Sequence, residues 1–190
     1  YLKSISLGYS IPYINKKQTI GVSASAFYAE NREFTYASSN NNNLLLYRTP
    51  SFERKQFVVS GGLTLRKGLF TKQLFHLHYS NIVLPDSFAH KNPGYLNTTE
   101  KKIAFADFNY SYQYIKVDNI NYPQRGKIFV ASLFNRGLGL SSKVAMTSFD
   151  FTLKQYMQYK RINFALQAFA KCKLPFKQPY FNQRMLGYND

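Results

Sequence analysis

Alternation of apolar and polar residues at every second position is the feature that most constrains the fold of this chain. Between Arg161 and Leu174 the sequence is RINFALQAFAKCKL. Its even positions are apolar: Ile162, Phe164, Leu166, Ala168, Ala170 and Cys172. Because successive side chains of a strand point to opposite faces, this segment has one apolar face and one largely polar, cationic face. The same alternation recurs along the chain, which is typical of a transmembrane β-barrel that is apolar toward lipid and polar toward its lumen.

Eight strand-like segments follow one another. They cover about 1–11, 18–36, 52–66, 73–84, 101–118, 127–136, 143–157 and 161–174, and the facing of 127–136 is ambiguous. Most of these segments are longer than the strands of soluble sandwiches. Their length is sufficient for a tilted strand to cross a bilayer. Short and long connections alternate, apart from a shorter loop at 137–142, as in outer-membrane barrels. We therefore predict an all-β fold, a transmembrane antiparallel up-and-down β-barrel, with residues 1–190 forming part of one barrel domain.

The composition fits this prediction. The chain has 16 Tyr and 17 Phe residues, and Tyr, with its apolar ring and polar hydroxyl, suits a membrane interface. The net charge of +16 is spread over alternating strands without a dense basic run, so we expect no nucleic-acid partner. We interpret the charge as that of lysines and arginines in solvated loops and on the wall of the lumen. A further interpretation is that cations at the strand ends are attracted to anionic lipid headgroups. The chain has no run of 18 apolar residues that would form a transmembrane helix.

The residues with catalytic or metal-binding chemistry are few and scattered. His76 and His78 share one face of a strand, but no further ligand lies at a suitable spacing, so we expect no metal site. Asp107 and Asp150 face the predicted lumen, where we expect each to pair with Lys or Arg across strands. Gly61-Gly62 indicates a strand bend, and the single cysteine, Cys172, allows no disulfide within the chain. We predict no catalytic site and no cofactor.

Two segments carry a resemblance to a known family. They are DNINYPQRG at 118–126 and LPFKQPYFNQRMLGYND at 174–190. Both resemble the BamA/TamA superfamily of outer-membrane barrels, the bacterial surface antigen family. The opening LGYSIPYINKKQTIGVSASAFYAENREFTY is similar to its Bacteroidetes branch. The resemblance covers nearly the whole chain and implies roughly the fourth to eleventh strands of a sixteen-stranded barrel. Because the chain opens within a strand-like run and lacks a signal peptide, we expect an internal section of a longer exported protein.

The resemblance also implies roles for particular residues. Asp118, Tyr122, Pro123 and Gly126 would form a periplasmic turn, in which Asp118 could cap the backbone by accepting N–H bonds. Arg184, Gly187 and Tyr188 would begin a long loop that folds back into the lumen. Tyr188 stands where many members have a second glycine, which changes the expected start of that loop.

The function that the resemblance implies is insertion or translocation of outer-membrane proteins in the outer membrane of a Gram-negative bacterium, with no enzymatic activity. The expected partners are outer-membrane lipids, unfolded outer-membrane proteins, and periplasmic or lipoprotein assembly factors. The resemblance is shared by BamA-like and TamA-like branches. Two alternatives stay open: a passive porin-like channel with a cationic lumen, and a barrel that anchors a fused enzyme domain.

Overall fold

The computed structural model describes residues 2–38, 44–85, 92, 95, 100–138 and 144–182. Its strands are β1 (Leu2–Ile11), β2 (Ile20–Asn31), β3 (Glu33–Ser38), β4 (Leu44–Arg48), β5 (Arg54–Lys67), β6 (Thr71–Val83), β7 (Lys102–Val117), β8 (Gly126–Arg136), β9 (Met146–Tyr159) and β10 (Ile162–Leu174). A 3-10 turn spans Tyr180–Asn182. β3 and β4 form a hairpin, and the other strands form one eight-stranded antiparallel sheet in chain order. Within the described residues, no helix has the length and apolar character needed to cross a bilayer.

The two faces of the main sheet differ in chemistry. Cross-strand partners on what we call the outer face are mostly apolar, among them Leu7, Val22, Val59, Leu77, Phe108, Phe151 and Leu166. Partners on the inner face are mostly polar, among them Ser6, Ser25, Ser60, His78, Asn109, Asp150 and Gln167. The predicted all-β fold and the facing predicted from the alternation are confirmed. β8, whose facing the sequence leaves open, directs Phe129 and Leu133 outward and Ser132 and Arg136 inward.

The prediction of one continuous strand over 18–36 is wrong after Asn31, where the chain leaves the main sheet. Asn31 pairs with Arg54, the first residue of β5, so the pairing between β2 and β5 ends there. The chain then forms β3, whose partner β4 lies in the connection between the predicted segments 18–36 and 52–66. The Thr49 N–H donates to the Arg32 carbonyl oxygen over 2.8 Å and closes the base of this hairpin.

The connections separate by length to the two ends of the sheet. At the short-turn end, brief connections join β1 to β2, β5 to β6, β7 to β8 and β9 to β10. At the long-connection end, the β3–β4 hairpin, the β6–β7 connection and the segment after β10 come together. Ile82, Ile103 and Phe105 on inward positions of β6 and β7 form a buried cluster with Leu84 and Tyr95 of the β6–β7 connection and Val144 of the β8–β9 connection. Tyr36 and Tyr47 of the hairpin and Tyr180 and Phe181 after β10 pack against this cluster. The long connections therefore cover part of the inner face.

Candidate functional site

The segment Tyr180–Asn182 is held against the inner face by Asn182, which is 2% exposed. The side-chain amide nitrogen of Asn182 donates to the Val144 carbonyl oxygen over 3.1 Å and to Gln178 Oε1 over 3.0 Å. Its Oδ1 accepts from the Arg136 guanidinium over 2.9 Å, and its backbone oxygen accepts from Lys173 Nζ over 3.2 Å. Both polar atoms of the side chain and the carbonyl are thus satisfied, as a buried amide requires.

Arg136 is the centre of this arrangement. Its Nε donates to Asp107 Oδ2 over 3.3 Å, and the two residues are direct cross-strand partners on β7 and β8. The guanidinium carbon lies 5.3 Å from the Phe105 ring centroid, 5.2 Å from that of Phe134 and 5.0 Å from that of Phe181. A planar guanidinium can bond in its plane and stack on rings above and below it. Arg136 therefore joins the strand wall to the docked segment.

Aromatic contacts complete the anchor. The Phe181 N–H donates to the Tyr95 carbonyl oxygen over 3.0 Å. The Phe181 ring lies 5.9 Å from the rings of both Tyr95 and Phe105, and Tyr180 lies 5.7 Å from Tyr95. The Tyr180 hydroxyl also shares a 3.0 Å hydrogen bond with the Ser38 hydroxyl. The segment therefore contacts the hairpin, the β6–β7 connection and the wall together. We call Asp107, Arg136, Phe181 and Asn182 the inner-wall anchor.

Sequence reasoning identified only part of the inner-wall anchor. The expected pairing of Asp107 with a cross-strand cation is confirmed by its contact with Arg136. That of Asp150 is also confirmed, because its Oδ1 lies 3.3 Å from Lys171 Nζ. This second contact is an ion pair without hydrogen-bond geometry. Arg136 and Asn182 were missed, because β8 has apolar residues on both faces and a lone Asn after a strand has no distinctive spacing. The predicted residues Arg184, Gly187 and Tyr188 lie outside the described residues, shortly after Asn182.

The predicted periplasmic turn is built around Asp118. Its carboxylate accepts backbone N–H bonds from Asn119 at 2.9 Å, Gln124 at 3.0 Å and Arg125 at 3.2 Å, which confirms the expected capping. These bonds, the one from Arg125 foremost, hold the pKa of the Asp118 carboxyl below its usual range. Gly126 follows with φ of +118°, and an added Cβ would collide with the backbone of Lys116 on the facing strand. Only glycine fits this position without strain.

The remaining turn residues contribute mainly through their backbone. The Tyr122 N–H donates to Asn119 Oδ1 over 3.2 Å, while the Tyr122 side chain is 69% exposed at the tip. Pro123 is half-buried beside it. The geometry therefore shows a well-ordered reversal between β7 and β8, and it places the Tyr122 ring in solvent.

The histidine pair lies on the inner face of β6. The His76 and His78 rings stack with centroids 6.0 Å apart and an interplanar angle of 20°. In the part of the chain that the structure describes, no group of three or more His, Cys, Asp or Glu side chains could hold a metal ion. At the bend predicted for Gly61-Gly62, pairing with β6 continues without a register shift, so no bulge interrupts the strand. A Cβ on Gly62 would come within 2.8 Å of the His76 ring, so the glycine makes room for that ring.

Comparison with known proteins bears on the fold. No protein-family model matches the chain, and no curated protein sequence matches it. Among solved structures, BamA from Haemophilus ducreyi lacking POTRA domains 1–3 matches 96% of this chain with a TM-score of 0.64 at 16% sequence identity. The match covers 35% of that structure's chain, so this chain spans about a third of its length. The chain thus has the strand arrangement of part of a BamA barrel.

Proposed function

We propose that this chain is the central part of an outer-membrane barrel that inserts or translocates other outer-membrane proteins. The observation that carries the proposal is the combination of a BamA-like sheet, apolar outside and polar inside, with a segment docked on its inner face by the inner-wall anchor. In such a sheet the backbone N–H and C=O groups form hydrogen bonds between neighbouring strands, and the apolar face can contact lipid. Both properties are required of a sheet that crosses hydrocarbon. The proposed location is the outer membrane of a Gram-negative bacterium.

The proposed mechanism is physical and needs neither cofactor nor catalytic side chain. In the complete barrel a weak seam opens, and its strand edges pair with the unpaired N–H and C=O groups of an incoming strand. Because those groups cannot remain unpaired in hydrocarbon, ordered transfer of strands is favoured over their exposure to lipid. The eight strands of the main sheet would form the wall opposite that seam. Their role is to stay rigid while the seam moves.

The inner-wall anchor would fix the start of a loop inside the lumen. Arg184, Gly187 and Tyr188 come two to six residues after Asn182 in the sequence, and we propose that they continue this loop. A segment held by a charged hydrogen bond from Arg136 and by aromatic packing of Phe181 resists being displaced by substrate. The proposed partners are unfolded outer-membrane proteins, membrane lipids, and periplasmic or lipoprotein assembly factors.

The test uses the full-length protein that contains this chain. It is reconstituted in liposomes, and the folding of an unfolded outer-membrane barrel is followed over time. We expect faster folding than in empty liposomes, and a smaller acceleration for Asn182→Ala. Asn163→Ala is the matched control, because Asn163 lies on the inner-face side of β10, away from the anchor, and is exposed. Equal rates with and without the wild-type protein would contradict the proposal.

A passive channel is the second candidate, and the inner face offers one observation in its favour. Three cations lie on inward-facing strand positions, namely Arg66, Lys72 and Lys154. Their positive charges would attract anions into a lumen. The same liposomes distinguish the two candidates. Anion conductance without accelerated folding would favour the channel, whereas the docked segment Tyr180–Asn182 favours a covered lumen and low conductance.

A further inference from the structure

Charge is distributed unevenly between the two ends of the sheet. A lysine or arginine lies at or beside each of the four short connections, for example Lys16, Lys67, Arg125 and Lys160. Among the described acidic residues, Asp118 is the one at this end, and its carboxylate is engaged by backbone N–H groups within its own turn. The other described acidic residues lie in the body of the sheet or toward the long-connection end. The short-turn end therefore carries a net positive rim.

Two of these cations are unusually placed. Lys116 on β7 and Lys127 on β8 are direct cross-strand partners, and both point to the outer face. Like charges in this position repel each other, which disfavours the pairing of their strands. Across the described residues, neither lysine forms an ion pair with a carboxylate. An anion bound between the two ammonium groups would turn this repulsion into attraction.

Aromatic rings surround the two lysines on the same face. Lys116 Nζ lies 5.5 Å from the Phe70 ring centroid, and Lys127 Nζ lies 5.4 Å from that of Tyr114. The rings of Phe70 and Tyr114 are themselves 6.4 Å apart. A tyrosine ring such as that of Tyr114 favours the zone between water and hydrocarbon, where phosphate groups of lipids also lie. The four residues form one outward-facing patch, which we call the rim patch.

The apolar outer face continues directly from the rim patch toward the middle of the sheet. Phe129 is the cross-strand partner of Tyr114, and its ring lies 5.2 Å from that of Phe151. A ligand that combines an anionic head with long apolar chains would match both regions at once. A free water-soluble anion would match the lysines alone.

We propose that the rim patch binds the phosphate headgroup of an anionic glycerophospholipid, with Lys116 and Lys127 contacting the phosphate and the acyl chains lying along Phe129 and Phe151. The inference rests on the proposed membrane location of the barrel. It adds to that location a preferred lipid and a defined binding place. Such a contact would fix the depth of this wall at the membrane surface on the short-turn side.

The test measures lipid preference in bilayers that contain the full-length protein. Spin-labelled phosphatidylglycerol and phosphatidylcholine are compared by electron paramagnetic resonance, which separates protein-bound from free lipid. We expect the wild-type protein to prefer phosphatidylglycerol over phosphatidylcholine. In the double variant Lys116→Gln/Lys127→Gln this preference should fall roughly fivefold for each lysine removed. The matched control is Lys3→Gln/Lys55→Gln at the opposite end. Both lysines point outward and already have partners: Lys3 Nζ lies 4.5 Å from the Phe52 ring centroid, and Lys55 Nζ lies 3.8 Å from Glu30 Oε1. We therefore expect no change in the lipid preference of this control variant.

Each other outcome overturns the proposal. Equal loss in both double variants would show a general charge effect in place of a site. Loss of the preference when glycerol 3-phosphate is added at constant ionic strength would identify a site for a free phosphate group. A rim variant that keeps its lipid preference but loses a co-purifying protein would show that the rim patch faces protein.

The proposed function is tested separately. Co-flotation of the protein with liposomes is measured first, and failure to float would contradict the membrane location itself. A protein that floats and accelerates barrel folding, but shows no preference for phosphatidylglycerol, would refute the rim patch alone.

Discussion

Replacing Arg136 with alanine is the sharpest test of the inner-wall anchor. The substitution removes the hydrogen bonds to Asp107 and Asn182 and the contacts with three aromatic rings. Asp107 then stays buried without its counter-charge, and Asn182 Oδ1 loses its donor. The strand pairing around position 136 is unaffected, because it depends on the backbone. The loss therefore falls on the docked segment and on the wall that holds it.

The expected cost follows from the burial of the pair. Removing one partner of a buried ion pair destabilises a protein by about 3–5 kcal/mol. The Asp107 side chain is 7% exposed but that of Arg136 is 20% exposed, so water solvates part of the guanidinium. We therefore expect about 3 kcal/mol for Arg136→Ala. For the Asp107/Arg136 pair in a double-mutant cycle we expect a coupling energy of at least about 1.5 kcal/mol.

The assay is urea unfolding of the full-length barrel in lipid vesicles, followed by circular dichroism. The matched control is the Asp150/Lys171 cycle, since this cross-strand pair has the same 3.3 Å separation but side chains that are 27% and 25% exposed. We expect a coupling of about 0–1 kcal/mol there. Equal coupling energies in the two cycles, or a cost below about 1 kcal/mol for Arg136→Ala, would refute the reasoning that burial makes this pair an anchor.

Three further predictions concern the turn and the outer face. Gly126→Ala should destabilise the barrel by about 2 kcal/mol in urea unfolding, because φ of +118° is strained for alanine. Gly61→Ala, with open space around it, should change stability by less than about 1 kcal/mol. The folded pKa of Asp118 is lowered, so its contribution is present at neutral pH and is lost as pH falls through that pKa. The unfolding midpoints of wild type and Asp118→Asn should therefore differ at pH 7 and converge in acid. Leu77→Lys on the outer face should cost about 2–4 kcal/mol, whereas the inward Ser60→Lys should be tolerated in the same assay. Equal effects of these two lysines would contradict the assignment of faces.

The alternation in the sequence was enough to predict the strands and most of their facing. In β9, for instance, Phe149 and Phe151 alternate with Ser148 and Asp150, so a single periodicity fixes both faces. The ion pair of Asp150 could also be predicted, because an inward acidic residue among many cations has a partner within reach on either side. These features depend on neighbouring residues and strands alone.

Other features depend on long-range packing and gave no periodic signal. The even positions are apolar from Ile20 to Tyr28 and again at Phe34 and Tyr36, so the two strands gave the pattern of one and the departure of the chain after Asn31 could not be seen. In β8, apolar residues occupy both faces because Phe134 supports Arg136 on the inside while Leu133 is outward. The role of Asn182 requires two partners that are distant in the sequence, Arg136 and Val144. Such contacts are specified by tertiary structure and leave no local pattern.

The buried cluster at the long-connection end has a consequence for the order of folding. Each strand pair of the main sheet joins near neighbours in the sequence and can form early as a hairpin. The cluster, in contrast, combines Ile82 with Val144 and has Tyr36 and Phe181 packed against it, so it depends on closure of very long loops and forms late. Docking of Tyr180–Asn182 therefore waits until β7 and β8 have paired, because Phe105 and Arg136, two of its partners, lie on these strands.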